Sequence, residues 1–92
     1  MNPHYRELID YSLLAEEVGH RKSNRRLQDR LGERGIGTYG DLLEASSRYA
    51  RITAHRSTER IQMNRFLRSV DGIGEVAAKA MMTELRRVNL LS

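Results

Sequence analysis

Gly72-Ile73-Gly74 puts two residues that lack a Cβ on either side of one apolar residue, a spacing suited to contact between main chain and an anion. Glycine reaches backbone angles closed to other residues and lets a phosphate come close to the peptide groups. If a helix begins after the second glycine, the amides of Gly72, Ile73, Gly74, Glu75 and Val76 lie at its positive end, which binds anions without any side chain. Lys79, one turn further on, would add a cation. The Ile73 side chain would pin the turn into the core. The competing reading uses the same residues as a turn between two helices that only packs.

Nothing else in the chain points to catalysis, so no enzyme is expected. Excision enzymes that work beside such a turn need a Lys or Asp set in a pocket and a domain large enough to hold a flipped base. A chain of 92 residues with this pattern has neither. No His-x-x-x-His pair occurs among His4, His20 and His55, and there is no cysteine, which excludes disulfides and thiolate metal sites. No metal site is expected. Met81-Met82 reads as gap-filling core rather than as a ligand box.

Charge is unevenly arranged. Residues 1–19 are acidic, with Glu7, Asp10, Glu16 and Glu17 against Arg6. Residues 20–35 carry Arg21, Lys22, Arg25, Arg26, Arg30 and Arg34 against two acids, and residues 48–68 carry six Arg, including Arg56 and Arg60, against Glu59 alone. Two basic blocks of this kind are the electrostatic footprint of a polyanion partner; the alternative is a solvated helix face. Fourteen of the sixteen basic residues are Arg, which favours bidentate phosphate contact but also follows from GC-rich codon usage, so the clustering carries more weight than the residue type. No apolar run reaches the length of a membrane span, and the first residues lack the apolar stretch of a signal peptide, so a cytoplasmic protein is expected.

The elements that must position these residues are helical, and the expected fold class is all-α. Leu8, Tyr11, Ala15 and Val18 have helical spacing after Pro3, which predicts a first helix along the acidic segment. Leu27 and Leu31 continue the pattern through the basic segment, as one long helix or two, until Gly35 and Gly37 stop it. Thr38 with Asp41 predicts an N-cap for a short helix through Leu42, Leu43 and Ala45, which Ser46-Ser47 would end or loosen. Residues 48–56 stay open. Ser57 is the expected cap of a helix whose Met63, Phe66, Leu67 and Val70 repeat at i, i+3, i+4, i+7 and lead to the glycines; Ala77, Met81, Leu85 and Val88 form the stripe after them. Helix, turn and helix over residues 58–86 have the layout of a helix-hairpin-helix. The expected organisation is an N-terminal helical arm over residues 1–37 and a compact helical domain over residues 38–92.

With these residues in place, the chain resembles the actinobacterial-type integration host factor, a small nucleoid-associated DNA-binding family. The likeness runs from about Arg21 to Leu85 and covers the basic helix ending Asp29-Arg30-Leu31, the Gly-rich turn before Thr38, Leu42-Leu43, the helix over residues 63–70, the hairpin, and Met82-Thr83-Glu84-Leu85. It implies a long N-terminal helix joined to a compact helical domain related to one from a small-subunit ribosomal protein. It implies binding and bending of double-stranded DNA with little sequence preference, through the minor groove, in nucleoid organisation or site-specific recombination. A recombinase or another DNA-processing protein would be a partner. The residues this places on DNA are the hairpin set with Lys79, then Arg21, Lys22, Arg25, Arg26 and Arg30, Arg56 and Arg60, and Arg86 and Arg87. No cofactor is implied, although a monovalent cation held by hairpin carbonyls is permitted.

Three features depart from the family. Glu75 stands where the family usually has Lys, Asp71 where it often has Pro, and the sequence ends at Ser92 where the family continues with a further basic segment. Weaker binding, or use of another surface, is the expectation. The alternative function is a helical adaptor that docks on a polymerase or recombinase, with the acidic first segment as a partner surface. Salt separates the two, because release of counterions from four to six phosphates gives a log-log slope of about −4 to −5, whereas an apolar helical interface hardly responds.

Overall fold

Thr38 and Asp41 cap each other. The Thr38 hydroxyl accepts the Asp41 amide at 3.1 Å, and the Asp41 carboxylate accepts the amides of Thr38 and Gly37, each at 3.1 Å. This satisfies donors that a helix start leaves open, and it launches the helix Tyr39–Thr53. The computed structural model describes residues 2–11, 21–53 and 58–91. Among them run a 3-10 turn, Pro3–Arg6, and four helices: α1 (Arg21–Glu33), α2 (Tyr39–Thr53), α3 (Glu59–Ser69) and α4 (Glu75–Arg87). The described chain is mostly helical, with one isolated antiparallel bridge, between Leu8 and Thr38.

The two amides on Asp41 hold its carboxyl below the usual carboxylate range, the Thr38 amide contributing most. A lowered folded-state value stabilises the fold above the unfolded carboxyl value, and that stability is lost as pH falls through the folded one. Asp41→Asn is expected to remove part of the loss of stability below about pH 4, measured as thermal midpoint against pH.

Residues 3–10 depart from the predicted helix, whereas Tyr11 is helical. After the 3-10 turn, whose first position takes Pro3, the backbone at Glu7 is extended. The Ile9 amide donates to Gly37 O and the Tyr39 amide to Glu7 O, each at 3.1 Å. Ile9 is buried while Leu8 is 75% exposed, the alternation of a strand rather than the stripe of a helix. The helical spacing lost because extended backbone here pairs with the loop before α2 and drives Ile9 into the core. Ala15 and Val18 lie outside the described residues.

Gly35 ends α1 as predicted, with φ +76. The Gly35 amide donates to Gly32 O and the Ile36 amide to Leu31 O, a Schellman motif whose apolar contact joins Ile36 to Leu31. The same motif closes α4, where Asn89 takes the left-handed position at φ 60 and the Leu90 amide donates to Leu85 O at 2.9 Å. Asn2 reaches across to this end and donates to Val88 O at 2.9 Å, so the first segment straps the last helix.

Ser46-Ser47 do not end α2, which runs to Thr53. Ser46 is buried, and the Thr53 hydroxyl donates to Tyr49 O at 2.9 Å inside the last turn. Tyr49 meets Phe66 of α3 with ring centroids 5.9 Å apart. The cap of α3 is Thr58, whose hydroxyl accepts the Ile61 amide at 3.4 Å; Ser57, the expected cap, lies outside the described residues.

One core joins the four helices. Leu27 and Leu31 of α1 pack in the same cluster as Leu42, Met63, Leu67, Met81 and Leu85, together with Ile9 and Ile36. Residues on both sides of position 38 therefore share a single apolar interior. A polar knot crosses it: Tyr39 Oη donates to Glu84 Oε1 at 2.9 Å and accepts the Asp10 amide at 3.2 Å. Arg87 grips both oxygens of the same carboxylate, with Nε 2.9 Å from Oε2. Burial pushes the Tyr39 hydroxyl above its ordinary value, and the carboxylate it donates to acts in the same direction.

Candidate nucleic-acid interface

The turn between α3 and α4 is built by two opposed needs, to reverse the chain and to bury Ile73. Val70 closes α3 by donating its amide to Leu67 O at 3.2 Å, Gly72 takes φ +90, and Ile73 turns inwards. The Ile73 side chain is 6% exposed, and its amide donates to Val70 O at 3.1 Å. This corrects one expectation: Ile73 is core and turn, with its donor already used, so it is not among the amides facing out.

The amides that open α4 belong to Gly74, Glu75, Val76 and Ala77, the four donors that a helix start leaves without an intrahelical acceptor. The first helical bond is Ala78 N to Gly74 O. Gly74 occupies the N-cap position with φ −92 and ψ −177, and no side chain caps the helix. α2 and α3, by contrast, both begin on a hydroxyl cap. Glu75 and Val76 are exposed at this end, Val76 to 58%.

Arg30 links the turn to the basic helix. A Cβ built on Gly72 would stand 2.8 Å from Arg30 Nε and 3.5 Å from its Cγ and Cδ, so the Arg30 stem lies over this glycine. Its guanidinium also reaches Glu33 at 3.5 Å. Arg25, Arg26 and Arg30 line one open face of α1 with Asp29 and Glu33 between them. Arg21 and Lys22 stand in the first turn of α1, and Arg56 lies outside the described residues. Gly72→Ala would be strained by its positive φ and would displace Arg30, although the flexible stem can move. The expected loss is about 1–2 kcal/mol of stability, read in a denaturant titration.

A second basic feature forms between α3 and α4. A groove of about 270 Å³ is lined by Arg60, Asn64 and Arg68 from α3 and by Glu75, Lys79, Met82 and Arg86 from α4. Arg60, Lys79 and Arg86, all expected on DNA, come together here. Arg68 joins them and was missed by the sequence reading. The signal was present, since residues 60, 64 and 68 recur every four along one helix and 75, 79, 82 and 86 lie on one stripe of the next.

Arg87 lies apart from this set. Its guanidinium is held by the Glu84 carboxylate, which also raises its proton affinity, and Glu84 is only 4% exposed. Arg87, also among the residues expected on DNA, fastens the end of α4 to the Tyr39 knot.

Among the described residues, no three His, Asp or Glu side chains gather as a metal site, and no helix is long and apolar enough to cross a membrane. Compared with models of known protein families, with curated proteins and with solved structures, the chain shows no match.

Proposed function

We propose that this protein is a non-enzymatic binder of double-stranded DNA that engages the phosphate backbone with little sequence preference and holds the duplex bent. The observation that carries the reading is the juxtaposition at Gly72: the basic face of α1, through Arg30, lies against the turn that leads into an uncapped α4 N-terminus. Amides of Gly74, Glu75, Val76 and Ala77 take a phosphate at the positive end of α4. Arg25, Arg26 and Arg30 take backbone beside it. Phosphate contacts position a protein without reading bases, which gives weak specificity. Bending a short duplex costs on the order of 1–6 kcal/mol and is offset by contacts on more than one surface.

The turn with its flanking helices is read as a helix-hairpin-helix, and the chain as a relative of the actinobacterial-type integration host factor, with a compact domain related to one from a small-subunit ribosomal protein. Its place is then the cytoplasm, on the nucleoid, in DNA compaction or in support of a recombinase. Glu75 at the mouth of the site opposes a phosphate, so weaker binding than in that family follows. The test is a titration of a labelled duplex of arbitrary sequence with the Arg25→Ala/Arg26→Ala double variant. Loss of two phosphate contacts should reduce the salt slope by about 2 and weaken binding alike on unrelated sequences. Equal affinity to the parent would refute the assignment of α1.

A second reading is favoured by one observation: Leu8 and Ile52 are 75% and 77% exposed, respectively. Apolar side chains so placed suit a protein partner, and an adaptor bound through them would hold its partner at high salt.

A further inference from the structure

The α3–α4 groove gathers four cations, Arg60, Arg68, Lys79 and Arg86, against the single carboxylate of Glu75. Arg30, Arg48 and Arg87 each have a carboxylate within 4.0 Å. Arg68, Lys79 and Arg86 make no ion pair among the described residues, yet all three line one groove with Arg60. Like charges in excess of their counter-charges raise the free energy of the unliganded protein, and an entering polyanion lowers it again.

We propose that this groove is a phosphate track, separate from the α4 N-terminus, which holds one strand of a DNA duplex over about three nucleotide steps without reading its bases. The proposal rests on the DNA-binding reading above and names a second contact surface for it. The chain reverses at the turn, so Arg60 and Arg86 stand toward one end of the groove and Arg68 and Glu75 toward the other. At 1.5 Å per residue, Arg60 and Arg68 are roughly 12 Å apart along α3, and Lys79 and Arg86 roughly 10 Å apart along α4. A strand of B-DNA carries one phosphate per 3.4 Å of axis, so the cations span about three steps.

The lining also decides between duplex and single strand. Sequence-tolerant single-strand sites stack bases on aromatic rings. Here the apolar floor is Met82, 6% exposed, and no aromatic side chain lines the groove. Only backbone contact remains, and a duplex offers its backbone with the bases already stacked away. Glu75 marks the end at which the track stops.

The test is a salt series of fluorescence titrations with a short duplex and its single strand, comparing the parent with Arg68→Gln/Arg86→Gln and with Gly74→Asp. Both groove positions are exposed, and circular dichroism checks that the fold is kept. The proposal expects the double variant to flatten the duplex slope by about 1.8, weaken binding roughly tenfold or more, and leave the duplex preferred by the parent. An unchanged slope in the double variant, with Gly74→Asp weakened, overturns the track and leaves the DNA-binding reading standing. Single-strand binding as tight as duplex binding and equally damaged overturns the choice of duplex. Absence of duplex binding by the parent at low salt overturns both.

Discussion

Gly74→Asp is expected to abolish most duplex binding while leaving the fold as stable as the parent or slightly more so. The two effects come from the same atoms. Gly74 has φ −92 and ψ −177, an extended conformation open to any residue, and a Cβ there meets nothing within 4 Å. Asp is among the best N-cap residues, and in this position its carboxylate can accept the Val76 or Ala77 amide. A gain of a few tenths of a kcal/mol over Gly follows. The carboxylate then fills the anion site and repels phosphate from what remains of it. A loss of roughly tenfold or more in affinity, on the order of 1.4 kcal/mol, is the expected reading. Gly74→Ser, which caps without a charge, should fall between Asp and the parent. Melting curves alongside the titration separate the effects, since a misfolded protein would lose both. Parent-like binding by a stable Gly74→Asp variant would show that phosphate does not dock on these amides.

The second large effect falls on stability. Glu84→Ala removes the acceptor shared by Tyr39 and Arg87, leaves the buried Tyr39 hydroxyl without its 2.9 Å partner, and opens space beneath α4. Lost methylenes and an unsatisfied buried hydroxyl together amount to about 3 kcal/mol. For a domain of this size, each kcal/mol lowers the midpoint by roughly 4–8 °C, so a fall of about 12–24 °C is expected in a calorimetric or dichroism melt. Glu84→Gln keeps an acceptor for Tyr39 and should cost much less. A small loss for Glu84→Ala would mean that the first segment and α4 are held mainly by apolar packing and the Asn2 bond to Val88 O.

Much of the fold could be read from residue order because its local signals agree with one another. Gly35 stops α1, Thr38 and Asp41 start α2, and the apolar repeats at Met63 and Ala77 mark the buried faces of α3 and α4. Signals that depend on a distant partner were not readable. Leu8 and Tyr11 have helical spacing, and only the loop carbonyl of Gly37 and the space that Ile9 fills hold residues 8–10 as an extended strap before the helical Tyr11. Ser46 looks like a breaker until it is buried within α2.

The candidate site divides in the same way. The glycines and the basic clusters are visible as residue types, whereas their pairing is tertiary. That Arg30 lies over Gly72 depends on how α1 packs, and that Arg87 is committed to Glu84 depends on a carboxylate buried from the other side. Arg68 has meaning only in the groove, which needs the stripes of two helices side by side.

The most direct measurement is the affinity of the purified protein for a duplex of arbitrary sequence over roughly 50 to 200 mM salt. A steep fall, with a log-log slope of about −4 to −5 that does not change with sequence, is what a backbone-binding protein with four to six phosphate contacts must give. Affinity that is absent at the lowest salt, or that stays level across the series, would contradict DNA binding and leave a protein partner on the exposed apolar positions as the reading to pursue.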